Sequence, residues 1–154
     1  MTATRKIISG LALILIAACG APVSEDVEIR NAHITEPISG RTVSLGGFEI
    51  AAFQEDAILI EVASSAADRI ALHTMLNEDG VMKMRPLPDG LTIQAGQSIT
   101  LGGGGPHLMV FDLRDDLVAG DKINLDVTYK QKDQIQTVTV ETVIQSLGDE
   151  IEGR

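Results

Sequence analysis

The chain has 154 residues, a formal charge of −10 and a single cysteine. Its acidic excess argues against binding to nucleic acid or to anionic lipid surfaces. With one cysteine, an intrachain disulfide and a multi-thiolate metal site are both excluded.

The first 18 residues have the pattern of a secretory signal peptide. Arg5 and Lys6 precede an apolar run from Leu11 to Ala18 that is too short to span a bilayer as a finished helix. Removing residues 1–18 leaves 136 residues with 10 basic and 22 acidic side chains, a net charge of −12. That length suits one domain with a sizeable core.

Cys19 lies at the predicted cleavage point, after Ile16-Ala17-Ala18. This order resembles the lipobox of bacterial lipoproteins, in which the cysteine becomes acylated. A reactive thiol or half of an intermolecular disulfide is the alternative reading. Gly20 follows, which by the enterobacterial sorting pattern favours the outer membrane. We therefore expect a periplasmic protein held to the membrane through its lipid anchor only, with residues 19–26 as a short tether.

From Val27 onward, short apolar runs with period-two alternation are separated by turn residues, and helix-length amphipathic runs are scarce. The pattern predicts an all-β fold, a Greek-key sandwich or barrel of about eight or nine short strands, over residues 27–145. With only three Phe and one Tyr, its core must consist mainly of Ile, Val, Leu and Ala. Residues 146–154 are predicted to form an acidic tail.

A hairpin is predicted where residues 69–76 and 81–85 flank Asn77-Glu78-Asp79-Gly80. A four-residue loop would place residue 73 opposite 84, whereas a two-residue turn would place 75 opposite 84. Both registers put His73, Met75, Met82 and Met84 on one face, since side chains alternate along a strand.

His107 and Met109 are spaced i, i+2, so on a strand they also share a face. All four methionines beyond Met1 lie between His73 and Met109. Thioethers favour Cu(I), and imidazole suits copper in either oxidation state, so two such strands can supply a four-coordinate site.

The spacing His73-x10-Met84-x22-His107-x-Met109 resembles the H(M)-x10-M-x21-H-x-M motif of the periplasmic copper chaperones called the PCu(A)C family. The second gap is one residue longer here, beside the glycine run 102–105, and Thr74 stands where some members have Met. The resemblance covers about residues 27–144 and is strongest over 69–129.

This resemblance implies a cupredoxin-like fold that binds Cu(I) and helps to deliver it to the copper A site of cytochrome c oxidase. Cu(II) is a further candidate ion, bound through the histidines at this or an adjacent position. It implies His73, Met84, His107 and Met109 as metal ligands. A copper-accepting oxidase subunit or a Sco-like assembly factor would be the partner, and the chain would act as a monomer.

Plainer readings stay open for several of these residues. A methionine in a strand is more often a core filler than a ligand, so Met75 and Met82 are either auxiliary ligands or packing residues. His33 is read as a solvent or strand-edge residue without a role. The glycine run lacks the Lys-Ser/Thr of a phosphate loop and is read as a tight turn.

No catalytic pattern of Ser-His-Asp or Cys-His type is present, so the chain is predicted not to be an enzyme. Blue-copper electron transfer is disfavoured because that site needs a cysteine thiolate. The alternative function is a non-enzymatic β-sandwich lipoprotein that buffers copper for resistance or binds a protein partner.

Overall fold

The computed structural model describes residues 26–37 and 40–146, and all regular structure in these two stretches is β. Ten strands are present there, more than the eight or nine expected. They are β1 (Val27–Thr35), β2 (Val43–Ala52), β3 (Ala57–Ala63), β4 (Arg69–Glu78), β5 (Val81–Pro86), β6 (Leu91–Ile93), β7 (Gln97–Thr100), β8 (His107–Phe111), β9 (Lys122–Gln131) and β10 (Gln134–Gln145). No helix in the described part of the chain is long and apolar enough to cross a membrane.

The strands form one hydrogen-bonded sheet in the order β5-β4-β8-β2-β1-β10-β9-β3-β6, with β7 paired to the second half of β2. Strands β1 and β10 run parallel, and the remaining neighbours are antiparallel. Strand β3 also contacts β4, and β6 contacts β7, although these strands are far apart in the hydrogen-bonded order. The sheet therefore curls back on itself around a single core.

The core comes from the inward-facing positions of nearly every strand, as period-two alternation predicts. Its fully buried side chains are mostly branched aliphatics, with two aromatics among the largest: Tyr129, Phe48, Ile34, Ile50, Leu59, Ile93, Leu101, Leu108, Leu125, Ile144, Val110 and Val127. The core cluster extends from Val27 to Ile144. A chain that begins at Gly20 therefore keeps every residue of this core.

Two hairpins use two-residue turns in which both central residues have positive φ. Asp79 and Gly80 (φ 55° and 83°) join β4 to β5, and Lys132 and Asp133 (φ 50° and 61°) join β9 to β10. Positive φ at both positions matches the right-handed twist of the flanking strands. The register with Met75 opposite Met84 is thus the one adopted.

One local prediction needs correction. Of the two readings of His33, in solvent or at a strand edge, the strand edge is wrong, because β1 is paired on one side with β2 and on the other with β10. Strand β2 runs without interruption through Gly46 and Gly47. The predicted signal peptide, the acylated Cys19 and the tail beyond Ser146 lie outside the described residues.

Candidate metal site

The candidate ligands lie on the surface of β5, β4, β8 and β2 that is turned away from the core, which we call the site face. In register order it carries Met84, Met75, His73, His107, Met109 and Leu45. Directly paired residues of adjacent strands point to the same side of a sheet, so the pairing places all six on this face. Leu72, Leu108 and Val110 alternate with them and point into the core.

His73 and His107 are direct partners across β4 and β8. Their rings are stacked, with centroids 6.3 Å apart and planes inclined by 24°. Met109 lies two residues along β8, opposite Ala71 on one side and Leu45 on the other. The structure therefore brings the two imidazoles together and places one thioether beside them.

Each histidine of this pair is oriented by a backbone carbonyl two residues earlier. The Nδ1 of His107 is 2.9 Å from the Gly105 oxygen, and that of His73 is 3.5 Å from the Ala71 oxygen. A carbonyl oxygen can only accept, so Nδ1 is the protonated nitrogen and Nε2 keeps its lone pair. A metal-binding imidazole usually makes a hydrogen bond through its other ring nitrogen, and this hydrogen bond fixes the tautomer.

The Nε2 of His107 is buried and has no hydrogen-bond partner. His107 as a whole is 7% exposed. Leaving a buried acceptor unsatisfied costs about 1–3 kcal/mol, so such an atom calls for an explanation. Ligation of a metal ion through Nε2 would satisfy it.

Met84 is not directly opposite His73, as it would be in a hairpin with a four-residue loop, and it therefore lies farther from the histidines. Pro86, not Met84, is paired with His73, so Met84 lies two residues, roughly 7 Å, along the edge strand. Met75 faces Met84 directly. Met82 is opposite Asn77, roughly 13 Å along β5 from the histidine row. That distance favours Met75 over Met82 as an auxiliary donor.

Exposure also separates the donors. Met84 is 42% exposed and Met82 is 52% exposed, whereas His73, Met75 and Met109 are half-buried. The whole of β5 is exposed, because its hairpin with β4 extends past the core. An ion bound here would therefore have its imidazole ligands inside and Met84 on the solvent side.

A charge cluster on the opposite side of this hairpin holds its two strands together. The Glu78 carboxylate accepts hydrogen bonds from Arg85 Nε (3.0 Å), Arg85 Nη2 (2.9 Å) and Lys83 Nζ (2.9 Å). Arg85 first, and Lys83 second, hold the pKa of the Glu78 carboxyl below its ordinary value. Met84 lies between these two cations in sequence and therefore faces the other way, toward the site.

Two features near the site were not anticipated from the sequence. An added Cβ on Gly47 would overlap the Leu101 carbonyl oxygen, so this glycine lets the 101–106 turn cross the site face beside His107. The Glu78 cluster depends on the hairpin register, which the sequence left open. Within the described ranges, no three His, Asp or Glu side chains are close enough to hold a metal, so the candidate donors are imidazoles and thioethers.

The sequence profile of the family described as "Putative lipoprotein LpqE-like" matches residues 27–142. The chain belongs to this family. It is also 29% identical, over 79% of its length and 74% of the relative's, to "Putative lipoprotein Lxx21020" of Leifsonia xyli subsp. xyli. Both descriptions name a lipoprotein, in agreement with the predicted class.

Solved structures with the same fold include PCuAC domains. The copper-bound PCuAC domain from PmoF2 superposes with a TM-score of 0.62 at 16% identity, covering 79% of this chain and 93% of that one. Apo-DR1885 from Deinococcus radiodurans gives 0.61 at 23% identity, covering both chains fully. The CuI form of DR1885 gives 0.58 at 22% identity, over 79% and 81% of the two chains.

These matches confirm the predicted all-β, cupredoxin-like fold and the relationship to PCuAC domains at the level of the fold. The descriptions of the family and of the copper-bound PmoF2 and DR1885 structures name a lipoprotein and bound copper rather than an enzyme, in agreement with the predicted non-enzymatic class.

Proposed function

We propose that this protein is a copper-binding metallochaperone of the cell envelope whose cargo is Cu(I). His73, Met84, His107 and Met109 are its ligands, and Met75 is the nearest auxiliary donor. The observation that carries the proposal is the buried, unpartnered Nε2 of His107 on a strand directly paired with His73. The copper named in the descriptions of the PmoF2 and DR1885 structures supports the choice of metal.

The donor set explains why copper in its lower oxidation state is favoured. Neutral imidazoles and thioethers add no charge, and soft thioethers select Cu(I) over harder ions. The two histidines are pre-oriented by the carbonyls of Ala71 and Gly105, so little rotational freedom is lost when they bind. Met84, exposed on an edge strand, is the ligand that an accepting protein reaches first.

Delivery is the role that follows from a cargo held at the surface. We propose a copper-accepting protein as partner, either an oxidase subunit that receives copper A or a Sco-like assembly factor. Acylation of Cys19 would keep the chaperone at the membrane where such acceptors are found, on the periplasmic side. Cu(II) would bind less well here, because it gains little from the thioethers.

The test uses a soluble form that begins at Gly20, which removes the only thiol and so the only competing thiolate. Anaerobic titration with Cu(I) should saturate near one equivalent, and X-ray absorption should show both nitrogen and sulfur neighbours. Zn(II) should bind more weakly than Cu(I). Tighter Zn(II) binding, or a spectrum without sulfur, would refute the assignment.

A second measurement separates delivery from buffering. The Cu(I)-loaded protein is mixed with the apo copper A domain of an oxidase, and copper is followed in both after separation. Transfer within minutes supports a chaperone. Copper retained by the loaded protein, despite a thermodynamically favoured acceptor, would indicate buffering instead.

A further inference from the structure

Strand β5 is a free edge of the sheet. Among the described residues it pairs with β4 on one side and with no strand on the other. Every residue of β5 is exposed. A free edge presents unpaired N–H and C=O groups to which another extended segment can add.

The hairpin register decides which backbone groups of β5 face outward. A two-residue turn closes on a hydrogen-bonded pair, and non-hydrogen-bonded and hydrogen-bonded pairs then alternate along the strands. Because Glu78 and Val81 close this turn, Met82 and Met84 are in non-hydrogen-bonded pairs. Their N–H and C=O groups therefore point to the open side of β5. Pro86 has the same parity, so its lack of an N–H removes no hydrogen bond from the hairpin.

This open edge carries the most exposed of the four proposed copper ligands. Met84 is 42% exposed, and its side chain lies on the same face as those of His73 and His107. A residue paired with Met84 from an added strand would share that face, with the two Cβ atoms about 5 Å apart. A soft donor at that position of the added strand would therefore reach an ion bound to Met84 while the hairpin stays in place.

The charges of β5 determine the kind of strand that fits. Its two charged residues, Lys83 and Arg85, are both cations and share the single carboxylate of Glu78, while Asp79 lies beyond the strand in the turn. This edge is therefore basic in a chain with a formal charge of −10. In a two-fold pair of β5 strands the cations of both copies would lie together, and like charges on adjacent strands are destabilising. A strand that carries carboxylates is favoured instead of a second copy of this chain.

We propose that β5 is the docking edge for the copper acceptor, which adds an extended acidic segment to it and places its own soft donor opposite Met84. Main-chain hydrogen bonds to Met82 and Met84 supply affinity, and Lys83 and Arg85 supply the preference for carboxylates. Transfer is then an exchange of ligands, in which the bond from the Met84 sulfur to Cu(I) breaks as a bond from the acceptor forms, and the ion keeps its charge. This inference rests on the proposed function, because it needs a cargo held partly by Met84.

Proline at position 82 tests the outward hydrogen bonds. Met82→Pro removes an N–H that points away from β4, so the hairpin keeps its own hydrogen bonds, whereas Met82→Leu keeps that N–H and is the matched control. Soluble forms that begin at Gly20 are loaded with Cu(I) and mixed with the apo copper A domain of an oxidase. Met82→Pro should transfer copper at least about fivefold more slowly, as expected for one lost main-chain hydrogen bond, with Cu(I) affinity within about twofold of the wild type. Met82→Leu should match the wild type in both.

The charge preference has its own test. Lys83→Gln removes one cation from the edge and leaves Arg85 to hold Glu78 through two hydrogen bonds. Transfer should slow severalfold at low ionic strength and recover at high salt relative to the wild type, because salt screens exposed charges. Lys122→Gln makes the same change in net charge at a surface ion pair with Glu141, and it should transfer as fast as the wild type.

The geometry is also measured on the wild type, without any variant. On titration of the isotope-labelled soluble form with the apo copper A domain, the backbone amides of Met82 and Met84 should be the most shifted NMR signals. Shifts confined to other strands, or Met82→Pro transferring at the wild-type rate, overturn the docking edge and leave the chaperone intact. If Met82→Pro also loses Cu(I) affinity, its hairpin is disturbed and the wild-type amide shifts decide. A wild type that passes no copper to the domain refutes delivery, and the docking edge with it.

Discussion

At the scale of single residues, the candidate donors of the site face differ in burial. The two imidazoles form an inner pair, and the thioethers are the outer donors. His107 is almost fully buried and His73 is half-buried, whereas Met84 is largely exposed. A buried imidazole nitrogen without a partner, such as Nε2 of His107, is a cost to the apo protein, whereas an exposed methionine costs little to present. Copper binding would therefore satisfy this nitrogen and be completed by the methionines.

Replacing a methionine by leucine distinguishes a ligand from a packing residue. The swap nearly conserves volume and usually costs less than about 1.5 kcal/mol, but it removes the sulfur lone pairs. Met84→Leu and Met109→Leu should each keep an apo thermal midpoint near that of the wild type. Each should weaken Cu(I) binding at least tenfold, or about 1.4 kcal/mol, and the double variant should be weaker still. Melting curves and competition against a chromophoric Cu(I) chelator give the two readings.

Met82→Leu is the matched control because it makes the same chemical change on the same strand, two residues farther from the histidine row. It should leave Cu(I) affinity within about twofold. Met75→Leu should fall between Met82→Leu and Met84→Leu. If Met84→Leu and Met109→Leu bind copper as tightly as the wild type, these methionines are packing residues and the proposed ligand set is wrong.

The sequence alone could place His73, Met75, Met82 and Met84 on one face, because strand periodicity depends only on parity. It could not choose between two hairpin registers, which differ in whether Met84 or Pro86 is opposite His73. The contact between His73 and His107 depends on pairing of strands some thirty residues apart, which local pattern does not specify. That juxtaposition was expected only through the family resemblance.

At the scale of elements, the β4–β5 hairpin extends past the core and is held together by contacts between its own two strands. An isolated two-stranded hairpin is marginally stable in water. Here the Asp79-Gly80 turn fixes the register, and Glu78 joins Lys83 and Arg85 across the strands. These exposed pairs add little to global stability, so their main effect is to keep Met84 on the side of the histidines.

The glycine turn is the second element that shapes the site, and its position depends on Gly47. A Cβ at Gly47 would collide with backbone, the Leu101 carbonyl, which cannot rotate away. Gly47→Ala should therefore destabilise the domain by about 1–3 kcal/mol through overpacking. Because the turn also carries the Gly105 carbonyl that orients His107, Cu(I) affinity should fall in the same variant. Thermal melting and chelator competition measure both effects.

Gly105→Ala is the control for this change. An added Cβ there meets no atom within 4 Å, and the residue is outside the positive-φ set. Stability should be unchanged or rise by up to about 1 kcal/mol, because alanine restricts the unfolded chain. Equal stability of Gly47→Ala and the wild type would show that the turn can move without cost.

Glycines inside a strand indicate that another part of the backbone passes close by. The sequence shows this at Gly46-Gly47, but it does not show which segment passes there.

At the scale of the whole molecule, the predicted tether joins the domain far from the histidine pair. Val27 begins β1, opposite Ala52, whereas His33 lies six residues, roughly 20 Å, farther along, level with Gly47 and so with His107. Asp26 is fastened to the domain through its carbonyl, which accepts from Phe53 N at 2.9 Å. A lipid attached before residue 26 would thus hold the protein by the end remote from His73 and His107.

This arrangement makes anchoring and copper binding separable, and Cys19 tests the separation. Cys19→Ser should leave an unprocessed precursor that takes up no labelled fatty acid, because acylation needs the thiol. The soluble form beginning at Gly20 should keep the wild-type thermal midpoint and bind Cu(I) as tightly as the lipidated protein in detergent, since the core begins at Val27. A wild-type protein that incorporates no label and washes off membranes would contradict the anchor. A soluble form that melts earlier or loses copper affinity would instead show that residues before Gly20 contribute to the domain.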